Sequence, residues 1–241
     1  MNGPISNAPA ECRLDRIVND LALRSAIAYW DSLRGKRLVP ARMALDPADL
    51  RPILRQSAIL ENPRPGTLRI RLGGARISAL MGMEVRGLPL RALFDLADRG
   101  RITAEVERAL EEPSILLLDV VSPAPRHQGQ EVFATQIAIL PMTDRDYSIS
   151  RALYVMGALR GADGTQAEDM AEMPQRWSVA RVEHVPVRVG VPVLTPGAAD
   201  LRRAAPERPQ ETHAQDADED AVEARGPMAR ARFRVIEGGL A

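Results

Sequence analysis

The chain is predicted to fold as an α+β domain: a five-stranded antiparallel sheet covered on one face by helices, with an N-terminal helix ahead of it and a disordered C-terminal tail behind. Three observations predict this. Apolar residues recur every three to four positions in residues 17–34 and again in 102–111. Thr67–Leu72 alternates apolar and polar, and three longer runs of β-forming residues follow the second helical stretch. After Gly161 the periodicity gives way to Gly, Ala, Asp, Glu, Pro and Gln, a composition that cannot bury enough apolar surface to order itself.

In chain order, residues 1–15 are read as disordered and 16–161 as the domain. Leu23, Ile27, Trp30 and Leu33 make one stripe of a helix over Ile17–Arg34, which Gly35 stops. A second short helix is expected from Asp46-Pro47, with aspartate as N-cap and proline in the first turn, burying Leu50, Ile53 and Leu54. Ser57–Glu61 and Thr67–Leu72 are the first two strands, joined through Asn62–Gly66, with Leu68, Ile70 and Leu72 facing inward. Helices follow at Arg76–Met81 and Thr103–Glu111. Ile115–Val121, Glu131–Leu140 and Arg151–Leu159 complete the sheet. The tail, 162–241, holds two apolar islands: alternating valines from Val185 to Val193, restricted by Pro186 and Pro192 to a sheet edge or an extended ligand, and Arg230–Ile236. The second island either docks on its own domain, binds a partner, or is incidental.

Composition bounds the function. There are 32 basic and 32 acidic residues, a net charge of zero, and aromatics are 3% of the chain. That removes the simplest electrostatic and stacking cases for nucleic acid. The lone cysteine, Cys12, permits no internal disulfide, and no apolar run approaches the length of a membrane span, so a cytoplasmic setting is expected. There is no G-x-S-x-G, P-loop or H-E-x-x-H motif, and no Cys/His cluster with metal-ligand spacing. No catalytic residue and no metal site is therefore assigned. The carboxylates Glu105, Glu107, Glu111 and Glu112, interleaved with Arg101 and Arg108, read as a solvated, ion-paired helix face.

The segment Trp30-Asp31-Ser32-Leu33-Arg34-Gly35, continued by Arg37, Pro40, Ala41, Arg42, Asp46 and Pro47, carries more information. With Arg71-Leu72-Gly73-Gly74 and Leu140-Pro141-Met142, it resembles a bacterial family of single PAS domain proteins known mainly from alphaproteobacteria, over about residues 22–161. The resemblance implies a five-stranded sheet, a cavity between sheet and helices, and a sensory or regulatory role exerted through a protein partner. Ala75 stands where the family often has threonine. Inward alternation and helix stripes place Ile70, Leu72, Ile77, Leu80, Phe94, Val106, Phe133 and Ile137 along that cavity. No cofactor is predicted, and an unknown small-molecule ligand is the expected occupant. The three histidines, His127, His184 and His213, fall in a loop or the tail, away from where a haem would need an axial ligand. Cys12 lies outside the domain, which leaves flavin–thiol photochemistry unsupported. Arg34, Arg37 and Arg42 either bind an acidic ligand or flank the helix C-terminus, where cations favour the dipole. Tyr29 and Trp30 are read as core or as the surface of a homodimer through the N-terminal helix. A ligand-free adaptor in a signalling or polarity complex is the alternative function.

Overall fold

The computed structural model of the chain describes residues 10–122, 133–161 and 176–194. Four α-helices and six strands are found among them: α1 (Ala10–Ile17), α2 (Leu21–Arg34), α3 (Ala75–Met81), α4 (Arg99–Glu111), β1 (Ser57–Glu61), β2 (Arg69–Gly73), β3 (Ser114–Val121), β4 (Ala134–Met142), β5 (Arg151–Met156) and β6 (Ser178–Pro186). The strands form one antiparallel sheet in the order β2-β1-β5-β4-β3-β6. The expected α+β class with an antiparallel sheet is what the structure has. His127, His213, the acidic stretch Asp216–Glu223 and the Arg230–Ile236 island lie outside the described residues.

Two features of the plan differ from expectation. The sheet has a sixth strand, from beyond Gly161: β6 pairs with β3 from Ser114↔Pro186 to Val121↔Ser178. It ends at a proline, which an edge strand tolerates because its outer N–H groups carry no ladder. Of the alternating valines, only Val185 lies in it. The second difference is that helices cover both faces. Leu116, Leu118 and Val120 of β3, with Ile137 and Ile139 of β4, enter the core beneath α3 and α4. Their alternate neighbours Ile115, Leu117, Ala138 and Leu140 enter a second core beneath α1 and α2. Strands buried on both faces read as continuous apolar runs, as Ile115–Leu118 does.

Local chemistry sets the boundaries. The helix expected over Ile17–Arg34 is divided at Asp20, whose Oδ1 accepts the N–H of Leu23 at 3.0 Å and so caps α2. The preceding turns form α1, which reaches back to Ala10 into the stretch expected to be disordered, and Leu14 and Val18 are buried. Gly35 leaves α2 at φ 54°. The second helix expected from Asp46 is a series of turns with a single 3-10 turn at Leu54–Gln56. Pro52 is the cause, since it lacks the N–H that would bond the carbonyl four residues earlier. Leu50 and Ile53 are buried as expected, whereas Leu54 is exposed.

At the start of β5, Arg151 bridges Asp144 at 2.6 Å and Glu61 at 2.8 Å. Hydrogen bonding from the Arg151 side chain, and then from the Arg145 backbone, holds the Asp144 carboxyl below its ordinary range. A folded-state pKa lowered in this way stabilises the fold above the unfolded value, about 4, and loses that contribution as pH falls through the folded value. Asp144→Asn should therefore lower the melting temperature modestly at neutral pH, where the pair is intact, and converge on the unmodified protein in acid, flattening the decline below about pH 4. An acid limb identical to that of the unmodified protein would show that the pair contributes nothing.

Candidate functional site

The residues expected around an inner cavity pack against one another. Ile70, Ile77, Leu80, Phe94, Val106, Phe133 and Ile137 all belong to the core between the sheet and α3/α4. Trp177 joins them, fully buried, from the segment just ahead of β6. Its backbone N–H donates to the Leu93 carbonyl and its carbonyl accepts from Asp95, both at 2.9 Å. Its indole Nε1 has no hydrogen-bond partner among the described residues. Nothing in the sequence pattern marked Trp177, a lone aromatic in a polar stretch.

Leu72 does not face this core. Ile59 pairs with Leu72, but the next residue of β1, Leu60, pairs with Ile70, leaving Arg71 as the extra residue of a β-bulge. One extra residue turns every later side chain to the opposite face. Leu72 is 48% exposed and lines a cleft on the outer face instead.

That cleft has a volume of about 410 Å³. One wall is the segment joining α2 to β1, through Leu45, Pro47, Leu50, Leu54 and Arg55. The other is the sheet, through Ile59, Leu72 and Leu153. Gly73, Gly74 and Ala75 close one end, and Arg42 also lines it. The walls meet because Gly74 has no side chain: a Cβ there would sit 2.3 Å from the carbonyl oxygens of both Leu54 and Arg55. Its N–H donates to the Ser57 carbonyl at 2.8 Å. Ala75 contributes a methyl group where a threonine would add a hydroxyl. Asp46 and Asp49, the acids of the joining segment, bear on Tyr29: the Asp46 backbone N–H donates to the Tyr29 hydroxyl at 3.0 Å. Burial, with the Asp49 charge adding to it, holds that hydroxyl above its ordinary pKa.

The signature residues separate into two groups. Trp30 is buried, with its indole N–H donating to the Pro141 carbonyl at 2.8 Å. Leu33 packs against the same core. Pro40 and Arg42 bond through their backbones to Thr143 at 3.0 and 2.9 Å, which ties the end of α2 to the β4–β5 turn. Arg34 is only 2% exposed; it pairs with Asp31 at 2.6 Å, stacks on Trp30, and donates to the carbonyls of Arg37, Arg188 and Val191. It is a structural anchor, not an open anion site. Arg37 is exposed and returns to the carbonyls of Leu33 and Arg34. The three arginines thus form no common site; of the Trp30–Pro47 segment Arg42 and Pro47 line the cleft, where they meet Leu72, Gly73 and Gly74 of the strand-end motif. Tyr29 and Trp30 belong to the core within the chain.

His184, expected in the tail, lies in β6. Its Nδ1 is 2.9 Å from Ser114 Oγ and its Nε2 is 3.0 Å from Glu105 Oε2. The order hydroxyl, imidazole, carboxylate is that of a nucleophile chain. Ser114 is only 4% exposed, however, so its hydroxyl is closed to substrate in this conformation, and the three residues act to tie β3, β6 and α4 together. Among the described residues no group of three His, Cys, Asp or Glu could hold a metal ion, and no helix is long and apolar enough to cross a membrane.

No curated protein matches the chain. Among solved structures, one described by the words "Flavin Analogue Sheds Light on Light-Oxygen-Voltage Domain Mechanism" is 15% identical, covering 50% of this chain and 82% of that one, with a TM-score of 0.34. An overlap that loose decides nothing about this site. A family model described as PAS domain matches residues 18–159, more than half of the chain and every element from α2 to β5. Trp177 and β6 lie beyond the matched segment and complete the sheet and core built within it. The chain belongs to the PAS domain family.

Proposed function

We propose that this protein is a sensory or regulatory module that takes a small-molecule signal in the outer cleft and relays it to a protein partner, in the cytoplasm of a bacterial cell. The observation that carries the reading is the cleft: its volume lies within the range of about 300–1,000 Å³ found for small-molecule sites, and its lining is mostly apolar with a few polar groups. One of its walls is the turn segment that leads out of α2. An occupant that moves Leu50 or Leu54 therefore acts on the helices covering the outer face, where a partner protein or a second copy of the chain would respond. No chemical step belongs to this reading.

Native mass spectrometry of the purified full chain, before and after denaturation, tests it. A bound mass released on denaturation and missing from Leu72→Trp, which fills the cleft from an exposed strand position, is the expected result. The same spectrum reads out a second copy. Absence of any bound mass, together with no thermal stabilisation by a broad metabolite panel, would favour a ligand-free adaptor of a signalling or polarity complex.

A further inference from the structure

We infer that the outer cleft selects an amphipathic anion, with an apolar chain against the sheet and a carboxylate or similarly compact anionic head at Arg42 and Arg55. This rests on the reading of the cleft as a ligand site and adds the chemistry of the ligand. The lining is Leu45, Leu50, Leu54, Ile59, Leu72 and Leu153 together with smaller residues, and its only charged side chains are Arg42 and Arg55. No aspartate or glutamate lines it. Neither guanidinium has a hydrogen-bond or ion-pair partner among the described residues. Each arginine offers five donors in a rigid fork that matches a carboxylate.

The surroundings reinforce the sign. Arg76 follows the cleft residue Ala75, and its guanidinium is held below the ordinary arginine range by burial first and by the positive charge of Arg55 second, with Asp20 opposing. Positive charge at this end of the cleft is therefore felt by its neighbour and is not cancelled by an acid in the lining. Asp46 and Asp49 bear on Tyr29. A neutral apolar occupant gains nothing from the two guanidinium groups, whereas an anionic head gains charge-assisted hydrogen bonds from half-buried Arg42 and exposed Arg55. A cleft of about 410 Å³ falls in the range of small-molecule sites and has room for a medium-length chain with its head group.

The test is calorimetric titration of the full chain with decanoate, decanol and acetate, each below its aggregation limit. Decanoate should bind roughly tenfold or more tighter than decanol, with acetate undetected. Added salt should weaken decanoate more than decanol. Arg42→Gln combined with Arg55→Gln should bring decanoate to the level of decanol while leaving decanol and the circular dichroism spectrum unchanged. Leu54→Trp should block both. Equal binding of decanoate and decanol overturns the charge selection while the cleft stands as a ligand site. Binding of neither overturns the inference, and the bound-mass measurement above decides separately whether the cleft is a site. Binding to anionic phospholipid vesicles, or to an acidic apolar peptide, without binding to dispersed decanoate also overturns it.

Discussion

Trp177→Ala should lower the unfolding free energy by about 3–5 kcal/mol, the range for truncating a large buried aromatic. The indole is fully buried among the residues beneath α3 and α4, and the backbone on either side is clamped. Ser178 Oγ donates to Asp95 Oδ2 at 2.6 Å, and the Val179 N–H donates to Asp98 Oδ2 at 2.9 Å. The surrounding loop is thus held at its observed spacing and collapses only partly onto the space vacated, so most of the cavity cost is retained. Trp177→Phe should cost much less. It keeps a large ring and removes an indole N–H that is buried without a partner among the described residues, a group whose unsatisfied burial costs about 1–3 kcal/mol. Chemical denaturation followed by far-ultraviolet circular dichroism gives both values. A chain ending at Gly161 lacks this residue and β6 together, and should be at least as destabilised as the alanine variant. If Trp177→Ala cost less than about 1 kcal/mol, residues 176–186 would not belong to the folding unit.

This residue also shows where the sequence stopped being legible. Elements whose partners lie nearby in the chain declare themselves by period: α2 by its stripe, α4 by Ile102, Val106 and Leu110, and β3 by its continuous apolar run. Features decided by distant partners do not. Trp177 becomes core because the 93–98 loop receives it. β6 becomes a strand because β3 would otherwise present an open edge, and its own alternation is interrupted by Arg181 and Glu183, an exposed and a mostly buried residue that pair with each other. The bulge at Arg71 carries no local mark, so the alternating stretch reads as having a single facing and Leu72 reads as inward, where the structure turns it to the other side of the sheet. The inner-face residues Ile70, Ile77, Phe94, Val106 and Ile137 were legible as inward-facing, because alternation and helical period determine which side a residue takes. Whether they surround a space or fill it depends on a residue 40 or more positions away. The cleft was illegible for a related reason: it is made by a turn segment meeting a strand end, and its only sequence trace is Gly74, whose lack of a Cβ admits two carbonyl oxygens.

Arg34→Ala should destabilise the protein by about 3–5 kcal/mol, the cost of removing one partner from a buried ion pair, and should release the chain after β6. Arg34 is the centre of a knot and supplies its side-chain donors. Its Nε pairs with Asp31, and its remaining N–H groups reach the carbonyls of Arg37 at 3.2 Å, Arg188 at 2.9 Å and Val191. Asp31 completes the tie by accepting the Val193 N–H at 3.2 Å. Without the guanidinium, Asp31 keeps a charge in a mostly buried position, and the carbonyls of Arg188 and Val191 lose their link to α2. Arg34→Lys should recover only part of the loss, because one compact ammonium cannot span a carboxylate and three carbonyls that a planar fork reaches together. Hydrogen exchange separates this anchoring role from general destabilisation. In Arg34→Ala, amides such as Val187, Val191 and Val193 should exchange faster at temperatures well below the melt, while the β3–β4 amides keep their protection. A variant that lost stability with uniform acceleration across the sheet, and no early release of 187–193, would show that Arg34 supports the core without holding the segment.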